Sequence, residues 1–199
     1  QGFLTNSGRA MDIDNNVFLR CPRAFRFNVW GDMKMFKPGA SWQMPERLGW
    51  VKYDQPPYST RYPALVRLAE DFAKGDAQVY ERALPKDNLI RRNVSEGRHF
   101  LYLGYGAGLQ HVRVENNLIG NATLLTGSPT GDGNAMKTHA HDNAAIRAVF
   151  EKSGNIIRHG ESLVVDADGE DFRLVPDSPA RKLGFEEIPF DKIGLRTDA

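Results

Sequence analysis

The stretch Asn88-Leu89-Ile90-Arg91-Arg92-Asn93-Val94 decides the fold, because its pattern returns elsewhere in this chain of 199 residues. The pattern is an apolar residue, two polar residues, an Asn and a second apolar residue. The other copies are Met11-Asp12-Ile13-Asp14-Asn15-Asn16-Val17, Val112-Arg113-Val114-Glu115-Asn116-Asn117-Leu118 and Asn155-Ile156-Ile157-Arg158-His159-Gly160-Glu161. A short pattern that returns in this way indicates stacked structural units.

Aligning the copies assigns a role to each position. The first apolar position is filled by Ile13, Ile90, Val114 and Ile157. The Asn position is filled by Asn16, Asn93 and Asn117, and by Gly160 in the fourth copy. Asn and Gly adopt left-handed backbone more readily than other residues, so this position predicts a sharp bend between two short strands. Stacked coils of this kind form an all-β, single-stranded solenoid, the right-handed parallel β-helix. The alternative is a set of unrelated strand-turn elements in a β-sandwich.

The spacing of the copies predicts one domain over residues 1–199 with two long insertions. Asn93 and Asn117 are 24 residues apart, which is a plausible length for one coil. Longer gaps flank this pair and place insertions at about 31–86 and 121–145. The first is rich in Pro, which central strands do not tolerate, and is predicted to be a partly helical loop; the second is rich in Gly.

Composition excludes several classes of function. There are 26 Lys plus Arg and 25 Asp plus Glu, so the net charge of +1 gives no reason to expect nucleic acid as a partner. Apolar runs are short, so no membrane span is predicted. The single cysteine, Cys21, excludes an internal disulfide framework and a multi-cysteine zinc site.

Four longer segments resemble a known group of proteins. They are Asp12 to Cys21, Pro56 to Pro63, Pro85 to Val94, and Asp171 to Phe185 with its continuation through Ile188-Pro189-Phe190 to Ile193-Gly194-Leu195. Together they resemble the C-terminal part of bacterial right-handed parallel β-helix proteins of the pectate-lyase-like superfamily, which are described as glycoside hydrolase-like. The last segment resembles the extended tail that closes the stack in that group.

The resemblance implies a secreted, periplasmic or cell-surface protein that acts on or binds a polysaccharide or oligosaccharide. It also implies that the rest of a longer parent chain lies on the N-terminal side. Related sequences often carry a His and an Asp on the strand after the first Cys, and here Arg26 and Asn28 occupy those places. Because Asn cannot transfer a proton as a carboxyl does, hydrolase-like, lyase-like and non-catalytic functions all stay open.

Candidate catalytic carboxylates lie near the first predicted bend. Asp12 and Asp14 are two residues apart and face the same way on a strand, and Asp32 follows the next strand. Glycoside hydrolysis needs a pair of carboxyl groups, so we expect Asp32 with Asp14 or Asp12 to line a cleft under the first insertion. The alternative is a solvated strand face without a catalytic role.

Candidate substrate-binding residues come from the same region. If Phe25, Phe27 and Val29 point inward, strand alternation turns Arg26, Asn28 and Trp30 outward, beneath an insertion rich in aromatic residues. We expect Arg26, Asn28, Trp30, Arg61 and Tyr62 to bind sugar through stacking and directional hydrogen bonds. The alternative is an insertion that packs on this strand and leaves no cavity.

The sequence predicts no metal and no cofactor. His139-Ala140-His141-Asp142 has the residue types of metal ligands, but no third protein ligand follows at motif spacing, and a solvated loop is the simpler interpretation.

Overall fold

The computed structural model describes residues 1–29, 43–64, 66, 84–104, 106–130 and 139–193. The strands are β1 (Phe3–Asn6), β2 (Asp12–Asp14), β3 (Val17–Asn28), β4 (Asn88–Arg91), β5 (Val94–Gly104), β6 (Val112–Glu115), β7 (Leu118–Ile119), β8 (Thr123–Gly127), β9 (Ala140–His141), β10 (Ile156–Ile157), β11 (Val164–Asp166) and β12 (Asp171–Leu174). The α-helices are α1 (Met44–Trp50), α2 (Tyr58–Arg61) and α3 (Ala144–Lys152), and short 3₁₀ helices cover Leu109–His111, Pro179–Leu183 and Phe190–Lys192.

Two sheets of parallel strands organise this part of the chain. A three-stranded sheet has the order β2-β4-β6, and a seven-stranded sheet has the order β1-β3-β5-β7-β10, with β8 pairing with β5 and with β9. All these pairs are parallel except β8 with β9, and β11 with β12 forms a separate antiparallel ribbon. The structure is therefore mostly β with parallel sheets, as the sequence predicted.

Each short strand leads through a bend into a strand of the larger sheet, and we call one such pair a layer. Ile13 pairs with Ile90, and Ile90 pairs with Val114, which confirms the predicted register for three of the four copies. The fourth alignment was wrong. Ile157 pairs with Ile119 in the larger sheet, whereas the prediction placed it in line with Val114 of the three-stranded sheet.

A row of asparagines joins the layers at the bend. The side-chain Oδ1 of Asn93 accepts bonds of 3.0 Å from the backbone N–H and from Nδ2 of Asn16, and Asn117 does the same for Asn93. The fourth member is Asn155, not Gly160: its Oδ1 accepts the backbone N–H of Asn117 at 2.9 Å. We call Asn16, Asn93, Asn117 and Asn155 the asparagine ladder.

The left-handed residue of each bend is the one before the ladder asparagine. The backbone φ is 57° at Asn15, 49° at Arg92, 55° at Asn116 and 78° at Gly154. The sequence interpretation placed this conformation on the ladder residue itself, and that was wrong by one position. The ladder position uses the amide side chain of asparagine, which can accept and donate hydrogen bonds at the same time.

The main core lies between the sheets. Four phenylalanine rings form a row of edge-to-face contacts. The ring centroids are 4.7 Å apart for Phe18 and Phe25, 5.2 Å for Phe25 and Phe100, and 5.9 Å for Phe100 and Phe150. A second cluster forms where the C-terminal segment covers Val94 and Leu118 with Leu163, Leu174 and Phe185. Strand β8 lies inside the predicted 121–145 insertion and pairs with β5, so it extends the larger sheet.

Candidate functional site

Alternation along β3 sets the direction of the candidate site residues. Phe25, Phe27 and Val29 are buried in the core, as expected, so Arg26 and Asn28 lie on the opposite, outer face of the larger sheet. The register places Arg26 beside Tyr102 and Asn28 beside Gly104 on β5. Residues from neighbouring strands therefore meet on this face.

Asn28 belongs to a short row of polar amides. Its Nδ2 donates to Oδ1 of Asn6 at 2.9 Å, and its Oδ1 accepts from Nε of Arg26 at 3.1 Å. Gly104 makes room for this arrangement, because a Cβ there would lie 2.7 Å from Oδ1 of Asn28 and 2.6 Å from the Tyr102 ring. Only 2% of Asn28 is exposed, so its role is to hold Arg26 in place rather than to meet a large ligand.

Two guanidinium groups share one tyrosine. The Cζ atoms of Arg23 and Arg26 each lie 5.0 Å from the centroid of the buried Tyr102 ring, which attracts cations electrostatically. Within the described part of the chain, no carboxylate forms an ion pair with either arginine, and Nε of Arg23 is buried without a hydrogen-bond partner. Two adjacent cations without a counter-ion form a site with affinity for an anion.

His99 stands beside the arginines. Its Nδ1 lies 3.1 Å from Oγ1 of Thr126 on β8. Burial lowers the pKa of His99 below its ordinary value, and the charges of Arg98 and Arg23 lower it further. The imidazole is therefore neutral near pH 7 and able to accept a proton. We call Asn6, Arg23, Arg26, Asn28, His99 and Tyr102 the outer-face cluster.

The candidate carboxylates Asp12 and Asp14 lie on the other sheet. Arg91 binds Asp12 through two hydrogen bonds of 3.1 and 2.7 Å, and Arg92 binds both carboxylate oxygens of Asp14. Arg91 also lies 3.1 Å from Asp14, so the four side chains form one ion-pair network. The Arg92 hydrogen bonds lower the pKa of Asp14, with a further contribution from the charges of Arg91 and Arg92.

This network occupies both carboxylates with arginines, and it argues against Asp14 as the general acid of a hydrolase. A general acid needs a raised pKa, whereas that of Asp14 is lowered. Neither residue is on the sheet that carries Arg26 and Asn28. The third predicted carboxylate, Asp32, and the predicted stacking residue Trp30 lie outside the described residues.

The remaining predicted residues lie in the first insertion. Arg61 ends α2 and Tyr62 follows it, and both are exposed, as are Trp50 and Tyr58. No group of three metal-ligating side chains occurs in the ranges that the structure covers. Nor do those ranges hold a helix that is long and apolar enough to cross a membrane.

Sequence reasoning missed Arg23, His99, Tyr102 and Asn6. Strict alternation from Phe25 would turn Arg23 inward, but Ala24 and Phe25 are both fully buried, so the alternation breaks there. The other three residues join the site only through strand register. A search for arginines with no acidic residue within five positions in the sequence would return Arg23 and Arg26 together with Arg20 and Arg61.

Comparisons with protein-family models, with curated proteins and with solved structures found no match. The geometry of the outer-face cluster is therefore the basis on which a function can be proposed.

Proposed function

We propose that this chain is part of a right-handed parallel β-helix and that it binds an acidic polysaccharide on the outer face of the larger sheet. Three layers in parallel register and a continuous asparagine ladder support the β-helix. Secretion, or display in the periplasm or on the cell surface, belongs to the same proposal because polymeric sugars are met there.

The observation that carries the binding proposal is the pair of half-buried guanidiniums over Tyr102, with no carboxylate partner in the described part of the chain. A sugar carboxylate supplies the missing charge and accepts two directional hydrogen bonds from an arginine. Exposed aromatic residues of the first insertion, Trp50, Tyr58 and Tyr62, offer flat faces for sugar rings. A lone phosphate has no ring to place on these aromatic faces, and a pair of arginines is a small cationic site for a nucleic acid backbone.

Calorimetric titration with galacturonate oligomers, and with neutral galactose oligomers of the same length, tests this proposal. We expect binding of the acidic oligomer only, and a loss of about 10-fold to 100-fold in affinity for Arg26→Ala and for Arg23→Ala. Arg91→Ala is the matched control, since it removes an arginine from the other sheet and should leave the affinity unchanged. Equal binding of neutral and acidic oligomers would contradict the proposal.

Lyase chemistry is the second candidate function, and the lowered pKa of His99 favours it. In this reaction a base removes the proton next to a sugar carboxylate. Those electrons form a carbon–carbon double bond, the bond to the neighbouring sugar oxygen breaks, and that oxygen takes up a proton. The arginines would stabilise the charge that builds on the carboxylate, and neutral His99 would be the base.

The lyase candidate is tested by the ultraviolet absorbance of the unsaturated product. We expect His99→Gln to abolish product formation by the protein while leaving affinity for the acidic oligomer within about threefold. A wild-type protein that binds the oligomer and forms no unsaturated product would leave binding as the function. Product formation that survives His99→Gln would exclude His99 as the base.

A further inference from the structure

The two ends of the asparagine ladder differ in whether the terminal asparagine has hydrogen-bond partners on its outer side. At the C-terminal end, Phe150 in α3 provides the carbonyl that completes the ladder: its O accepts Nδ2 of Asn155 at 2.7 Å and the backbone N–H of Asn155 at 3.3 Å. In the inner rungs, the Oδ1 of the next asparagine accepts these two donors. Helix α3 therefore ends the ladder on that side.

At the N-terminal end, Asn16 lacks the partners that the inner asparagines have. The Oδ1 atoms of Asn93, Asn117 and Asn155 each accept two bonds from the layer before, whereas Oδ1 of Asn16 accepts none from any described residue. The Nδ2 groups of Asn93, Asn117 and Asn155 also donate to a carbonyl of the layer before, those of Ile13, Ile90 and Val114. Among the described residues Asn16 makes no equivalent bond.

The edge of β2 is open in the same direction. Met11 and Asn15 direct backbone groups toward β4, since the O of Met11 accepts the N–H of Leu89 and the N–H of Asn15 donates to the O of Arg91. Alternate residues of a strand address the same neighbour, so the backbone groups of Asp12 and Asp14 face the other side. No described strand pairs with that side of β2.

The larger sheet extends one strand beyond the layer of β3. Strand β1 pairs in parallel with the end of β3, from Phe3 beside Phe25 to Asn6 beside Asn28. In the layer of β3, the bend and the ladder asparagine precede this position by nine residues, from Asn16 to Phe25. The corresponding short strand and asparagine would thus lead directly into β1.

We propose that the open edge of β2, together with Oδ1 and Nδ2 of Asn16, binds a further parallel layer. Its occupant is a polypeptide segment that leads into β1 and has the chain's own pattern: a short strand, a left-handed residue and an asparagine. This asparagine donates its backbone N–H and its amide to Oδ1 of Asn16. A second copy of the chain does not fit, because Phe150 already occupies the donors at the C-terminal end of the ladder.

The test adds such a segment to the full chain. A copy of residues 88–96 is placed ahead of Gln1 through a Gly/Ser linker of about three residues, which preserves the spacing from ladder asparagine to sheet strand. Amide hydrogen exchange of Asp12 and Asp14 is measured in the original and in the extended chain. We expect fast exchange in the original chain and about tenfold or more slower exchange in the extended one.

The matched control replaces the added asparagine by alanine at the place of Asn93 in the copy. This variant should protect Asp12 and Asp14 several-fold less than the parent extension, because the side-chain hydrogen bond to Oδ1 of Asn16 is lost while the backbone one remains. Equal protection by both extensions, or none by either, would overturn the proposal. So would slow exchange of both amides in the original chain at a dilution where it is monomeric, because the edge would then be covered already.

Discussion

Two pairs of arginines lie on different sheets and have opposite surroundings. Arg91 and Arg92 on the three-stranded sheet are neutralised by Asp12 and Asp14, through paired hydrogen bonds to both carboxylates. Among the described residues, Arg23 and Arg26 on the larger sheet contact only the Tyr102 ring and the amide of Asn28 through their guanidinium groups. The residue type is the same, so the neighbours decide whether an arginine holds the fold together or remains available to a ligand.

The two pairs differ in what balances the positive charge of each guanidinium group. An ion pair inside the chain satisfies the guanidinium during folding and leaves little affinity for a further anion. A cation–π contact contributes about 0.5–2 kcal/mol and leaves the positive charge in place. This difference supports the proposal that the outer-face cluster binds an anion, whereas the guanidiniums of Arg91 and Arg92 are already paired with Asp12 and Asp14.

The largest expected effect on ligand binding comes from adding an acid to the outer-face cluster. In Asn28→Asp the new carboxylate pairs with Arg26, which now binds Oδ1 of Asn28 at 3.1 Å. We expect the affinity for galacturonate oligomers to fall by about tenfold or more, since one of the two available cations is lost. Calorimetric titration measures this loss.

Asn28→Ser is the control for Asn28→Asp, since it removes the amide without adding charge. It should weaken binding only a few-fold, through looser placement of Arg26. An affinity for Asn28→Asp equal to that of the original chain would show that Arg26 takes no part in binding. Hydrolysis gained by Asn28→Asp would instead indicate that this strand lies in a catalytic cleft.

Removing an acid from the structural network should affect stability and not binding. Asp14→Asn takes the charge away from the partner of Arg92 and from one neighbour of Arg91. We expect the free energy of unfolding in urea to fall by about 1 kcal/mol, as is usual for a partly exposed, well-formed ion pair. An unchanged free energy of unfolding would mean that the charge of Asp14 does not stabilise the fold.

Asn93→Ala separates the ladder from the charges on either face. Asn93 is buried and bonds to Asn117, Ile13 and Arg91, so its loss leaves several buried polar groups without partners. We expect a decrease of about 2–3 kcal/mol in the free energy of unfolding. Asn16→Ala, at the open end of the ladder, should cost less than half as much, and an equal cost would show that Asn16 is as fully bonded as Asn93.

The sequence alone was sufficient for part of this picture. The spacing of Ile90 and Val114 relative to their asparagines identified the layers, because period and bend chemistry are local properties. Asn155 was missed because Gly160 offered a second plausible bend residue a few positions later. The correct choice depends on hydrogen bonds to Asn117, between residues 38 positions apart.

The candidate site was less accessible to sequence reasoning. Arg26 and Asn28 followed from alternation on a single strand, but Tyr102 and His99 reach the site from β5 through register. The role of Asp14 was judged from residue type, whereas its actual role is set by Arg91 and Arg92, which are 77 and 78 residues away in the chain. Contacts at such separations are decided by folding as a whole and leave no local trace.

The smallest expected effect distinguishes the two faces by pH. Both His99 and Asp14 have a lowered pKa, so each binds a proton more weakly in the folded than in the unfolded chain. The stability that each provides is fully present above its unfolded pKa and is lost as pH falls through its folded pKa.

For His99 this loss begins near its ordinary value of 6.5, whereas for Asp14 it begins only near 3.8. Between pH 7.5 and 5, acidification should therefore act on His99 and not on Asp14. Urea unfolding across this range should show a loss of a few tenths of a kcal/mol that is absent in His99→Gln and retained in Asp14→Asn. If His99→Gln shows the same loss as the original chain, His99 is not the group that titrates, and the neutral imidazole required for the lyase candidate loses its support.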